Sequence, residues 1–177
     1  VRRAFSLAVD REAIVKNVSL AGDEPAYHTV PNGLAGYRSN QGFTMDVTEA
    51  RRLLAEAGYP GGKGIAPIQL LYNTSENHRA VAEAVQQMWR KNLGVSVSLT
   101  NQEWKVYLDT VKSTRDFQIA RSGWLMSEPH LHLDRWATGN ANNDANWSHS
   151  GFDRLLQASL AAPTLTKSHT TGTLPLA

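Results

Sequence analysis

Residues 67–100 read PIQLLYNTSENHRAVAEAVQQMWRKNLGVSVSLT, and the succession of periods in this stretch decides the fold. Pro67 to Asn73 is a nearly continuous apolar run of strand length, the pattern of a buried strand. Ser75 stands where a helix N-cap belongs. From there to Asn92 apolar residues recur at helical spacing, with Val81, Ala84, Val85, Met88 and Trp89 expected on the inward face. Val95, Val97 and Leu99 then alternate with Ser96, Ser98 and Thr100, a strand with one polar face. Downstream, a helix carrying Trp104, Tyr107, Leu108 and Val111 precedes a third predicted strand over Phe117 to Arg121. Strand, helix, strand, helix, strand implies parallel pairing through right-handed crossovers, so the class is α/β, a sheet of largely parallel strands flanked by helices. Ligands of such folds sit beyond the carboxyl ends of the strands. Here those ends are Asn73 onward, Asn101 to Trp104, and Arg121 to Trp124.

Upstream, residues 2–20 carry Phe5, Leu7, Ala8, Ile14, Val15 and Val18 at helical spacing, with Asp10 placed to cap the second of two short helices. From Gly22 to Gly42 the Gly, Pro, Asn and Ser content rises, predicting a long loop. Asp46 and Glu49 form a capping box ahead of Ala50, Leu53, Leu54 and Ala57, and Gly58 supplies the C-terminal stop. Residues 139–147, Gly-Asn-Ala-Asn-Asn-Asp-Ala-Asn-Trp, read as a polar surface loop. An amphipathic segment from Phe152 to Leu160 follows. Residues 1–162 are expected to form one incomplete lobe, and the Thr- and Ser-rich tail 163–177 to be disordered or foreign to the fold.

With 41% hydrophobic and 19% charged residues, the chain can bury a core, and overall disorder is not the reading. Its net charge of +2 is spread without basic runs, so nothing favours a nucleic-acid partner. There is no Cys, hence no disulfide or thiolate metal site. No apolar run approaches the roughly 20 residues of a membrane helix. The opening Val1-Arg2-Arg3-Ala4-Phe5 lies inside an amphipathic pattern, without an initiating Met or a secretory signal, which we read as a piece of something longer.

His130, His132 and Asp134 invite a metal site and, with it, a metal-dependent hydrolase. Alternate residues share a face only on a strand, however, and after Pro129 a helix is expected, on which they diverge. They are read as structural or ligand-facing, with no metal or other cofactor expected. His78 falls in the first turn of its helix, where backbone amides favour anions, and is either a ligand contact or a solvated residue near a helix start. Of five Trp residues, Trp104, Trp124 and Trp147 fall in or beside predicted loops, which suits a binding cleft, while Trp89 and Trp136 are assigned to the core. No Gly-x-Ser-x-Gly elbow, phosphate loop or dinucleotide fingerprint occurs, and the glycines at 61, 62 and 64 are better read as a turn.

VRRAFSLAVDREAIVKNV at 1–18, LLAEAGYPGGK at 53–63, LYNTSENH at 71–78, MWRKNLGVSV at 88–97, NQEWKVYL at 101–108 and ARSGW at 120–124 together resemble the periplasmic oligopeptide-binding proteins of ABC importers, the family 5 solute-binding proteins. The resemblance runs in order to about residue 160. It implies a type II periplasmic-binding-protein lobe, part of a two-lobed protein that captures a peptide without transforming it. Its partners would be a peptide, a membrane permease and an N-terminal lobe of the same protein. Its location would be the periplasm, or the cell surface in a bacterium lacking an outer membrane. By the same resemblance the backbone around Gly123 and Leu125 would pair with the peptide and Arg121 would organise that strand end. Trp104 and Trp124 would line side-chain pockets, and Asn73 and His78 match a motif whose His approaches the peptide carboxylate. The family's usual Asp for the ligand α-amino group is missing from Gly123-Trp124-Leu125-Met126-Ser127-Glu128-Pro129. Ser127 or Glu128 stands there instead, which leaves open a non-peptide solute on the same scaffold.

Overall fold

The computed structural model describes residues 1–19, 22–39 and 42–161; the Thr- and Ser-rich tail lies outside the described residues. The chain divides into two compact units, one formed by Val1–Ala26 with Phe43–Ser122 and the other by Tyr27–Gly42 with the chain from Gly123 onward.

The first unit holds a three-stranded sheet. β1 (Ile68–Asn73) lies between β2 (Val97–Gln102) and β3 (Ile119–Ala120), and both pairings are parallel. Ile68 pairs with Val97 and Asn73 with Gln102, so the carboxyl ends of β1 and β2 finish level. The third strand is shorter than the period suggested, two residues, although Arg121 N–H still donates to Leu71 O at 2.8 Å. α4 (Glu76–Leu93) connects β1 to β2, and α5 (Trp104–Asp109), continued by a π-helical turn over Thr110–Thr114, connects β2 to β3. The chain steps first to one side of β1 and then to the other. Crossovers of one hand therefore place these helices on opposite faces.

That arrangement explains why β1 is apolar on both sides. Leu70 and Tyr72 join a core with Trp89 and Leu93 of α4, while Leu71 packs with Tyr107 and Val111 beneath α5. Two further helices complete the first core: α1 (Arg2–Leu7), which contributes Ala4, Phe5 and Leu7, and α3 (Val47–Glu56), which contributes Ala50 and Leu54. Trp89 donates its buried indole N–H to Phe5 O at 2.9 Å, tying α4 to α1. Of the expected inward face of α4, Trp89 is buried and Val85 packs against the same core, while Ala82 and Leu93 are buried as well and Val81, Ala84 and Met88 sit half-buried at the edge. The Met88 sulfur there accepts from Asp10 N–H at 3.3 Å.

The caps follow local chemistry, with two differences from the sequence reading. Asp10 caps α2 (Arg11–Ile14), which continues as a π-helical turn over Val15–Ser19, by accepting from Ala13 N–H at 2.9 Å. Asp46 accepts from Glu49 N–H at 2.9 Å, but the box is only half closed. Glu49 turns to Arg52 instead, and the Asp46 N–H is satisfied by Leu7 O at 2.9 Å. Ser75 occupies the N-cap of α4 yet makes no capping bond. At the other end of α4, Gly94 adopts φ +71°, and a Cβ there would stand 2.5 Å from Gly61 O, so only glycine fits both the left-handed turn and the neighbouring backbone.

In the second unit, residues 27–39 form irregular backbone with a 3₁₀ turn at Leu34–Gly36 and bury Val30. α6 (Pro129–Asp134) and α7 (Ser150–Leu160) flank the Asn-rich segment. That segment is not simply a surface loop. Asn143 is 3% exposed, with its amide donating to Trp147 O at 2.7 Å, Ala137 O at 3.2 Å and Trp136 O at 3.3 Å, while its side-chain oxygen accepts from Trp147 N–H at 3.1 Å. One side chain organises the turn from within, which polar composition alone does not reveal.

Candidate ligand-binding site

The carboxyl edge of the sheet gathers four of the expected residues in the first unit. Asn73, buried at the end of β1, lies with its side-chain oxygen 3.5 Å from Arg121 Nη1, and its carbonyl lies 3.4 Å from His78 Nδ1. Tyr107 donates its hydroxyl to Arg121 O, and its ring stacks on Trp104 with centroids 5.8 Å apart and an interplanar angle of 17°. Trp104 is 52% exposed at the first position of α5 and so presents a large aromatic face beside the strand ends. Between β1 and β2, Thr74 N–H and Oγ1 reach Gln102 O at 2.8 and 3.0 Å, and Asn101 Nδ2 donates to Thr74 Oγ1 at 2.9 Å. The edge is thus a linked polar lattice around one exposed aromatic plate.

His78 is half-buried in the first turn of α4. Burial pushes its imidazole below the usual range and the Arg121 guanidinium pushes the same way, while the Asn73 carbonyl opposes both. The ring is therefore neutral at pH 7. Nδ1–H faces the Asn73 carbonyl, which leaves Nε2 as the acceptor in the unliganded protein. A ligand carboxylate near His78 would reverse this balance by stabilising the imidazolium.

In the second unit the expected residues follow one another along the chain. Gly123 and Ser127 are exposed, Leu125 is 95% exposed, and Trp124 and Glu128 are half-buried. Among the described residues Gly123, Trp124 and Leu125 make no main-chain hydrogen bond, and they lie outside any helix or strand. Trp124 donates its indole N–H to Leu131 O at 3.2 Å. Glu128 is the N-cap residue of α6, but its carboxylate caps nothing.

The supposed metal ligands separate. His130 is exposed, His132 is buried with Nε2 3.2 Å from Met126 O, and the Asp134 carboxylate accepts from Asn140 Nδ2 at 2.9 Å. Among the described residues no group of three or more His, Cys, Asp or Glu could hold a metal ion. The sequence reading did not single out Tyr107 as a site residue, although its i, i+3 spacing from Trp104 on a helix was the available signal. Arg135 carried no signal at all, yet it is buried with its guanidinium over both the Trp124 ring, at 4.7 Å, and the Trp136 ring, at 5.0 Å.

Residues 1–145 match the family model described as bacterial extracellular solute-binding proteins, family 5 Middle. The chain is 38% identical to the oligopeptide-binding protein OppA of Bacillus subtilis, over 94% of this chain and 32% of that protein. It is 40% identical to the periplasmic oligopeptide-binding protein OppA of Salmonella typhimurium, over 90% of this chain and 31% of that protein. Among solved structures, the Escherichia coli murein tripeptide binding protein MppA superposes with a TM-score of 0.90 at 34% identity, covering 97% of this chain and 35% of that one. The chain thus spans about a third of the length of the curated relatives it matches, and its parallel sheet with helices on both faces is the type II periplasmic-binding-protein architecture. Fold, the ordered sequence match and the open polar edge of the sheet agree: the chain belongs to the bacterial extracellular solute-binding proteins of family 5.

Proposed function

We propose that the protein containing this chain captures oligopeptides for an ABC importer and releases them unaltered to a membrane permease. It would work in the periplasm, or at the cell surface where no outer membrane exists. The observation that carries this reading is the main chain at Gly123, Trp124 and Leu125, which makes no hydrogen bond among the described residues and has Leu125 almost fully exposed. A peptide can add to such backbone as a strand, gaining affinity through main-chain hydrogen bonds that are indifferent to its sequence. By resemblance to the family, Trp104 and Trp124 would each wall a side-chain pocket, and Asn73, His78 and Arg121 would supply polar contacts at the strand ends. His78 and the first-turn amides of α4 suit the peptide carboxylate.

For the α-amino group the reading turns on Ser127 and Glu128. A buried ammonium needs a paired anion, and the Glu128 carboxylate, engaged in no cap, can supply one. A different solute on the same scaffold is the second reading, favoured by the exposure of Ser127 and by the absence of an Asp from residues 123–128. An N-terminal lobe of the same protein is expected to complete the cleft, since a ligand held on one side only leaves most of its surface in water. Isothermal titration of the full-length protein with di- to pentapeptide pools tests the proposal. Heat saturating at one peptide per protein is expected, and no heat with any pool would refute it.

A further inference from the structure

Arg135 is 6% exposed and occupies a slot walled by two tryptophans, its guanidinium carbon 4.7 Å from the Trp124 ring centroid and 5.0 Å from that of Trp136. Its Nη2 lies 3.7 Å from Asp144 Oδ2, and Asp144 follows directly on the buried Asn143 that fixes the loop. Burial lowers the affinity of this guanidinium for its proton while the Asp144 carboxylate opposes that effect, and arginine stays charged in either case. The cation thus sits against one face of Trp124 and is held there by an acidic partner.

A cation on one face of an indole draws the ring's π-electrons towards itself and leaves the other face less attractive to a second cation. From this geometry we infer that Arg135 is a specificity-determining residue. By polarising Trp124 it biases the side-chain pocket that this ring walls against Lys and Arg side chains and in favour of neutral aromatic ones. The inference rests on the reading of Trp124 as a ligand-facing residue. It works by building repulsion against the unwanted ligand rather than by adding a contact to the wanted one.

The test uses full-length protein carrying 5-fluorotryptophan, with the Trp124 resonance assigned through Trp124→Phe. Tripeptides of alanine with one Tyr or one Lys at each position in turn identify, by the shift of that resonance, which ligand position meets Trp124. At that position Tyr is expected to be preferred over Lys, and in Arg135→Gln the Tyr-to-Lys affinity ratio should fall roughly three- to tenfold. Asp144→Asn, which keeps the stack and removes the compensating charge, should move the ratio the opposite way. A purely structural role would weaken both peptides alike and leave the ratio unchanged, which would overturn the inference. So would peptides that bind without moving the Trp124 resonance. Should Arg135→Gln fail to fold, the Asp144→Asn ratio alone decides: widening supports the inference and constancy overturns it. Wild-type protein that binds no peptide would instead overturn the capture reading itself.

Discussion

Replacing Asn143 by Ala should destabilise the protein by more than its place in an Asn-rich segment suggests. The side chain is 3% exposed, so water does not simply take its place. It donates to Trp147 O at 2.7 Å, shares its second amide proton between Ala137 O at 3.2 Å and Trp136 O at 3.3 Å, and accepts from Trp147 N–H at 3.1 Å. Three bonds at a net value near 1 kcal/mol each, with partners left buried after truncation, amount to about 2–4 kcal/mol. For a chain of this size that corresponds to a fall in melting temperature of roughly 5–15 °C. Asn143→Asp should be at least as damaging, because it keeps the acceptor but sets a carboxylate oxygen among three carbonyls. Thermal unfolding by circular dichroism and urea unfolding by tryptophan fluorescence measure both. Variants that each stay within about 0.5 kcal/mol of wild type would refute the argument that this one side chain organises the turn.

The other predictions concern the first unit. In an NMR titration His78 should show a midpoint below 6.5, because burial and Arg121 disfavour its charged form. A group whose folded pKa is depressed binds fewer protons when folded, so its contribution to stability is present at neutral pH and declines as pH falls below about 6.5. His78→Asn should remove that part of the acid sensitivity, and a peptide carboxylate bound nearby should raise the midpoint; a free-protein midpoint at or above 6.5 would contradict the assignment. Gly94→Ala should cost more than Gly58→Ala in chemical unfolding. Both residues have positive φ, worth upwards of about 1 kcal/mol against Ala, but only at Gly94 would the new Cβ meet a carbonyl, that of Gly61 at 2.5 Å. Trp89→Phe should lose about 1–3 kcal/mol by leaving the Phe5 carbonyl buried and unpaired; an unchanged urea midpoint would show that this bond contributes nothing.

Much of the architecture was legible because it rests on period. The apolar run at 67–73 and the Val95 to Thr100 alternation placed β1 and β2, and their order with α4 and α5 dictated parallel pairing. Trp89 and Val85 of α4 face the core as their period implies, but Ala82 is deeper than the period shows, because tertiary packing decides which residue is deepest and Ala82 is too small to stand out in a hydrophobic pattern. At the candidate site, Asn73, Trp104 and Arg121 could be placed from strand ends alone. Tyr107's hydrogen bond to Arg121 O could not, since it joins residues that only the crossover brings together. Arg135 and Asn143 were hidden for a common reason. A buried polar side chain is recognised by its partners, and those partners lie in irregular backbone whose path no period encodes.

The division of the chain into two units fixes an order of events when it emerges N-terminus first, whether from a ribosome or through a membrane pore. Within this stretch of chain the segments assigned to the first unit are all out once Ser122 has appeared, whereas the second must hold its earlier segment from Tyr27 in waiting until the one beginning at Gly123 arrives. Synthesis at about 5–20 residues per second makes that delay a matter of seconds, long against folding at the roughly millisecond end of the range of mixed α/β domains. The sheet edge bearing Asn73 and Arg121 can therefore be finished before the backbone at Gly123 to Leu125 has any settled neighbours. The segment bearing Trp124 is thus among the last to find its partners within its own unit.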